Sequence, residues 1–439
     1  MRRRGFRGEL GIALVIAIAL SACAAPLQEP TPVATASPPG SPGASVPPVA
    51  TDSPTTLPTA VPSASAPPSP GPTIPSPSPS PFPSATPAGG WVGPERVGTR
   101  LYEALLLVVD EDGVAHAAAE LNDSIFYLTN ASGSWTRERV TTPLEGGSDR
   151  EPSIALDPLD RNLLIAFTRY SSYECFELGC FPADSTGIFS IRKHDGEWSE
   201  PVAKVTGNAV RSVVRIGRQG DEHLVYELLG SNESWVHHVT HDDPGPTPND
   251  TRLGAGHSAS LALGAAGLPH VCFLGDDGVL YATAESASGP FDVQATGIEG
   301  WAEILLGTDD QPHLVYTGFD EPWSIHLTMW DGTAWTSPTL VAANELLSAA
   351  ALSADGAIHA IYNVTDAADE DDHGLWYSSN RSGSYEAVQI DASVRAVPDG
   401  PSAASALALD DEGRPHFLYV VFYDEGRNGL YYAVGPGPQ

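Results

Sequence analysis

Lysine is almost missing from this chain: Lys193 and Lys204 are the two in 439 residues. Lys and Arg together number 22 against 55 Asp and Glu, a formal net charge of −33. A surface so poor in cations repels phosphate backbones, which excludes nucleic acid as a partner. Four cysteines cannot make a disulfide-dense scaffold. Helical periodicity is nearly absent after residue 100, and no apolar run beyond the leader is long enough to span a bilayer. G-x-S-x-G, H-E-x-x-H, P-loop and G-x-G-x-x-G patterns are all missing, which removes the common nucleophile-elbow, zincin and nucleotide-binding chemistries.

What the chain has is repetition. A small-and-apolar strand, an acidic or Gly turn, a His and then an aromatic recur, most plainly in 405–419, 303–316 and 260–273. The anchors are His116, Leu163, His223, His270, His313, His359 and His416, at intervals of 43 to 60 residues. Each unit carries four short runs rich in Val, Leu, Tyr and Trp between Gly, Asp and Pro, which read as strands. In the unit around His313 these are 305–307, 313–318, 324–330 and 335–341. Four strands repeated seven times predict an all-β, seven-bladed β-propeller of antiparallel blades over 91–439. The chain ends after a third strand, GLYYAV (429–434). WVGPERV (91–97) has the form of the fourth strands WTSPTLV and WSEPVAKV, so it is expected to complete the last blade and leave no open edge. The fourth strand of the unit around His223 is not placed within 242–257.

Residues 1–22 read as a signal peptide: a basic MRRRGFR, the apolar GIALVIAIAL (11–20), then Leu20-Ser21-Ala22-Cys23. That order resembles the bacterial lipobox, which implies lipid on Cys23 and a protein held on the extracytoplasmic side of a bacterial membrane by its acyl chains alone. In 24–90, Pro fills 21 of 67 positions among Ser, Thr and Ala. Such a segment has too little apolar side chain to fold and Pro stiffens it, so it reads as a disordered stalk. Beyond it lie 18 basic and 52 acidic residues. Cys175 and Cys180, in the long connection 171–187, are expected to form a local disulfide outside the cell. Cys272 reads as a buried free thiol.

The six histidines sit at one place in six repeats, so they ring the fold and cannot converge on a metal; each is expected to satisfy hydrogen bonds where its strand begins. The connections between second and third strands share one face of a propeller and form the expected binding surface. Its named residues are Asp320, Trp323, Asp369, Asp371, Asp372, Tyr423 and Arg427. Asp366, Asp369 and Asp371 would suit Ca²⁺, though DAADEDDHG (366–374) lacks the D-x-[DN]-x-[DN]-G pattern; no other cofactor is expected.

HDGEW (194–198), WDGTAW (330–335) and NASGSW (130–135) resemble worn copies of the S-x-D-x-G-x-T-W turn of the sialidase-like (BNR, Asp-box) propellers. In that family the turn is structural. The resemblance further implies three arginines gripping a sugar carboxylate and a Tyr–Glu nucleophile pair. Arg150, Arg169, Arg211, Arg215, Arg395 and Arg427 are available for such a triad, whereas the family's Arg-Ile-Pro segment is absent and its members commonly have six blades. The sequence therefore points to a monomeric surface lipoprotein that binds an extracellular glycan or protein. A sialidase-like glycoside hydrolase and an assembly module of the cell envelope are the alternatives.

Overall fold

The computed structural model describes residues 91–437, apart from 101, 177–178, 232, 242–248, 321–322, 344, 365–373, 395–404 and 423–426. Seven antiparallel sheets form a seven-bladed β-propeller, and no helix occurs among the described residues. The innermost strands of blades I to VII are Leu105–Val109, Ser148–Leu156, Ala209–Ile216, His257–Leu263, Gly300–Leu306, Glu345–Leu352 and Ser405–Leu409. All seven anchors fall on second strands. In blade VII, Val92–Gly98 is the outermost strand, paired antiparallel with Gly429–Val434. Trp91 stacks on Phe417 at 5.4 Å.

Some strand bounds differ from the sequence expectation. The fourth strand of blade V is Thr339–Ala343, and Trp335 only bridges Trp330 before it. Pro338 has no N–H to give the ladder, so regular pairing starts after it. The same holds at Pro201, where Glu197–Trp198 pairs briefly and Val202–Thr206 carries the outer edge. The connection 171–187 is no loop: Leu163–Phe176 and Gly179–His194 run on as a long hairpin. Its register sets Cys175 opposite Cys180, and their side chains lie outside the described ones. The fourth strand of blade III is Asn249–Ala255.

Two contacts recur from blade to blade and explain the repeated residues. First, the anchor His bonds the third strand of its own blade. His116 Nδ1 meets the Tyr127 hydroxyl at 2.6 Å, and His270–Tyr281, His359–Tyr377 and His416–Tyr432 repeat this at 2.5–2.6 Å. In blade III a second histidine takes the tyrosine's place, with His223 Nδ1 3.2 Å from His238 Nε2. Second, the aromatic at or just ahead of the start of the fourth strand packs edge-on against that same third-strand residue in the preceding blade. Trp198 meets Tyr127, Phe291 meets His238, Trp335 meets Tyr281 and Trp135 meets Tyr432, with centroids 4.9–5.4 Å apart. Each such pair contributes about 0.5–1.5 kcal/mol beyond its buried area. Burial pulls His116, His270 and His416 below the usual imidazole range and His359 down to about 4. They are satisfied structural groups.

The turns between first and second strands are nearly identical. The N–H groups of Asp110, Gly217, Gly264, Gly307, Ser353 and Asp410 each bond the carbonyl four residues on, at 2.8–3.1 Å. The residue three after each of these takes a left-handed φ of 60–83°; five of the six are Gly and the sixth is Asp310. Blade II makes the turn one residue longer, closing Asp157 N–H on the Asn162 carbonyl.

Cores form between blades. Ile361, Tyr377, Phe417 and Tyr431 pack blade VI on VII, and Leu128, Leu107 and Leu418 pack I on VII. Between blades IV and V lie Tyr281, Leu314 and the fully buried Cys272, whose thiol burial holds far above its usual range.

Candidate functional site

The opposite face, where second strands pass to third strands and outer strands pass to the next blade, is irregular. Here the innermost strands of blades II, III and IV bulge, putting Glu151, Arg211 and Ser258 in left-handed conformations with φ of 50–54°. The N–H freed at each bulge is captured by the blade before it. Glu120 Oε2 accepts from Glu151 N–H at 3.0 Å, Thr168 Oγ1 from Arg211 N–H at 3.1 Å, and Glu227 Oε1 from Ser258 N–H at 2.7 Å. In blade VI, Leu347 N–H donates to Thr317 Oγ1 at 3.0 Å. The acceptors Glu120, Glu227 and Thr317 stand four residues after an anchor His. That spacing was present in the sequence and was the signal available for these staples, which sequence reasoning missed. Burial pushes Glu120 up to about 7, against the pull of the Glu151 N–H and Arg150. It pushes Glu227 up as well, against Arg211.

Around these staples the face gathers three of the six arginines named from sequence. Arg150 bonds Glu103 and Glu120 at 3.0 Å and Asp123 at 2.9 Å, and lies over the Tyr173 ring. Arg169 holds buried Asp149 through Nε at 2.6 Å and Nη2 at 2.9 Å, with Phe189 beneath it. Arg211 is 60% exposed and reaches Glu227 at 3.1 Å and Glu151 at 3.7 Å. The Tyr170 hydroxyl donates to Glu151 Oε2 at 3.3 Å, and burial together with that carboxylate raises its pKa well above the usual phenol range. Arg215 lines a cavity among the innermost strands of blades III to VI. Arg427 donates to Asp391 at 2.7 Å. Arg395 lies outside the described residues.

The same face carries an aromatic group in blade V. Trp301 meets Phe319 edge-on at 4.8 Å and Trp323 at 6.3 Å, and Phe319 is 39% exposed. Asp320, exposed, stands beside Phe319. Trp301 and Phe319 were not singled out from sequence; pairing of Gly300–Leu306 with Pro312–Gly318 is what brings them to Trp323. Asp366, Asp369, Asp371, Asp372 and Tyr423 lie outside the described residues, as does Cys23. Among the described residues no three His, Cys, Asp or Glu side chains form a cation cage, and no helix is long and apolar enough to cross a membrane.

No protein-family model matches the chain, and no curated protein is similar to it in sequence. Solved structures do resemble it. An ulvan lyase bound to -[GlcA(1-4)Rha3S]- is 12% identical over 78% of this chain and 95% of its own, with a TM-score of 0.51. An intramolecular trans-sialidase from Ruminococcus gnavus, bound to oseltamivir carboxylate, is 12% identical over 78% and 96%, with a TM-score of 0.40. Its leech counterpart is 11% identical over 79% and 70%, with a TM-score of 0.38. The likeness to the ulvan lyase, at 12% identity, bears on fold alone.

Proposed function

We propose that the chain is a surface lipoprotein whose propeller binds an extracellular glycan on its irregular face. The observation that carries this reading is the coexistence on that face of an aromatic group, Trp301, Phe319 and Trp323, with a hydrogen-bonding patch built around Arg150, Arg211, Glu151 and Tyr170. Aromatic faces stack on the C–H side of sugar rings, while charged planar groups take the hydroxyls. Three arginines here are already opposed by six carboxylates (Glu103, Glu120, Asp123, Asp149, Glu151 and Glu227). The patch has no cation to spare for an acidic sugar, so it favours a neutral glycan.

The test is a glycan array probed with the full chain, followed by titration of the retained sugar. Neutral glycans are expected to bind, with Trp323→Ala and Arg211→Ala each weakening binding about tenfold, which is about 1.4 kcal/mol. Retention of no glycan, or equal binding by both variants, overturns the reading. Anchoring is tested by metabolic palmitate labelling, which Cys23→Ala abolishes if the lipobox reading holds.

A second reading, sialidase-like hydrolysis, draws on the Tyr170–Glu151 contact beside Arg211. The phenol is poorly suited to it, because burial and the adjacent carboxylate both oppose its ionisation. Turnover of a fluorogenic sialoside that is lost in Tyr170→Phe would reinstate it.

A further inference from the structure

The innermost strands are in register around the axis, so equivalent positions can be compared through their shared turn. At one such position the seven blades carry Val108, Ala155, Arg215, Ala262, Leu305, Ala351 and Ala408. Six are apolar and one is arginine. At the position two residues earlier in each strand stand Leu106, Ser153, Val213, Ser260, Glu303, Ala349 and Ala406, where blade V alone is charged. Ser153 and Ser260 accept the N–H of Val214 and Ile304 from the next blade, at 3.0 and 3.3 Å. Glu303 Oε2 does the same for Ala350 at 2.8 Å. A serine would suffice for that bond, and the carboxylate leaves its second oxygen over.

Arg215 lines an axial cavity of about 370 Å³, walled by Leu261, Leu263, Ile304, Leu306 and Leu352. It continues into a second chamber of about 370 Å³ that opens among the repeated turns, with Arg218 and Asp310 at its lining. The Arg215 guanidinium spends one donor on the Val214 carbonyl at 2.8 Å. Among the described residues no carboxylate lies within 4 Å of it. Burial lowers its pKa, opposed by the charge of Glu303. Arg215 is half-buried at this opening, so its remaining donors are available to a ligand that enters the cavity.

We propose that this axial cavity is a binding site for a small organic monocarboxylate with a short apolar body, its head held by Arg215 and its tail by the leucine and isoleucine walls. A planar guanidinium matches a carboxylate through paired N–H bonds. Glu303 disfavours a second negative charge on the ligand. The site is on the side of the ring away from the glycan face, so the two readings stand or fall separately.

The experiment is calorimetric titration of the full chain with hexanoate, hexyl phosphate and hexan-1-ol at pH 8, where Glu303 is mostly ionised. Hexanoate is expected to bind at least about tenfold more tightly than the neutral alcohol and than the dianionic phosphate. Arg215→Met, which keeps the bulk and removes the charge, should weaken hexanoate about tenfold or more, and Glu303→Gln should tighten it several-fold. No heat with hexanoate at about 20 mM, equal binding of hexan-1-ol, or an unchanged affinity in folded Arg215→Met overturns the proposal. Tighter hexyl phosphate overturns the choice of carboxylate. Should Arg215→Met fail to fold, Glu303→Gln decides alone, and an unaltered affinity there sinks the site.

Discussion

At the turn face, six hairpins close with one set of backbone bonds and a seventh adds a single residue, while at the irregular face the described blades share bulges and staples but differ in the side chains beyond them. The turn face repeats because its residues serve the blade itself: a left-handed turn, a His and the hydroxyl it bonds. The other face varies because, once bulges and staples have fixed the strand ends, the side chains beyond them are free to differ. Blades I to III spend that freedom on arginines and carboxylates, and blade V spends it on aromatics. Recurrence in this ring marks what holds it together, and departure from recurrence marks where it meets something else. Arg215 and Glu303 extend the rule into the axis.

Substitutions that separate the two faces test this contrast. The largest effect is expected from removing residues 91–98, which uncovers the edge of Gly429–Val434 and takes Trp91 from Tyr377 and Phe417. Melting of the whole ring should fall by at least about 10 °C in calorimetry, and an unchanged midpoint would deny the strand any part in closure. Next comes Arg169→Met, which leaves the fully buried Asp149 without its bidentate partner and should cost about 3–5 kcal/mol in urea unfolding. Trp198→Ala, at the repeated stitch, should cost about 3 kcal/mol, whereas Trp301→Ala at the irregular face should cost less in stability and more in sugar binding. Equal stability losses at the two tryptophans would erase the distinction drawn between the faces.

A smaller effect concerns pH. Burial first, against the Ala350 N–H and Arg215, raises Glu303 from the usual carboxylate range to about 7. The folded chain therefore holds this proton over a window in which the unfolded chain has released it. Its contribution is favourable at low pH and is lost as pH rises between about 4.5 and 7. Glu303→Gln keeps the acceptor for Ala350 and removes the charge. It should stabilise the ring by at most about 3 kcal/mol at pH 8 and have little effect at pH 4.5. Urea unfolding of both proteins at the two pH values checks the sign. The smallest effect, about 1 kcal/mol, is expected for Tyr377→Phe, which deprives His359 of one partner while Ser353 keeps the other at 3.2 Å.

The ring was legible because its determinants are local and repeated. Anchor, third strand and the aromatic that follows recur at short spacing, so even LLIAFTRY, which lacks the His, could be placed as the second strand of blade II. Pro201 and Pro338 shifted strand starts that the Trp-x-x-Pro pattern had set too early. The site was less legible because it is assembled across blades. Arg150 finds Glu103 and Asp123 from blade I, and Arg211 finds Glu151 from blade II, through register that no linear spacing displays. Trp323 was visible as an aromatic among acids, but its partners Trp301 and Phe319 become neighbours only once the blade is paired. Arg215 could be counted in the sequence, yet its oddity emerges only when seven innermost strands are laid side by side.

Cys272 gives the ring an internal clock. Its sulfur is fully enclosed between blades IV and V and donates to the Ala302 carbonyl at 3.4 Å. With the thiolate so disfavoured, a maleimide can reach and react with it only during moments when these two blades part. The rate at which the peptide bearing Cys272 acquires label, followed by mass spectrometry, then reads the frequency of that breathing without any probe having to be engineered in.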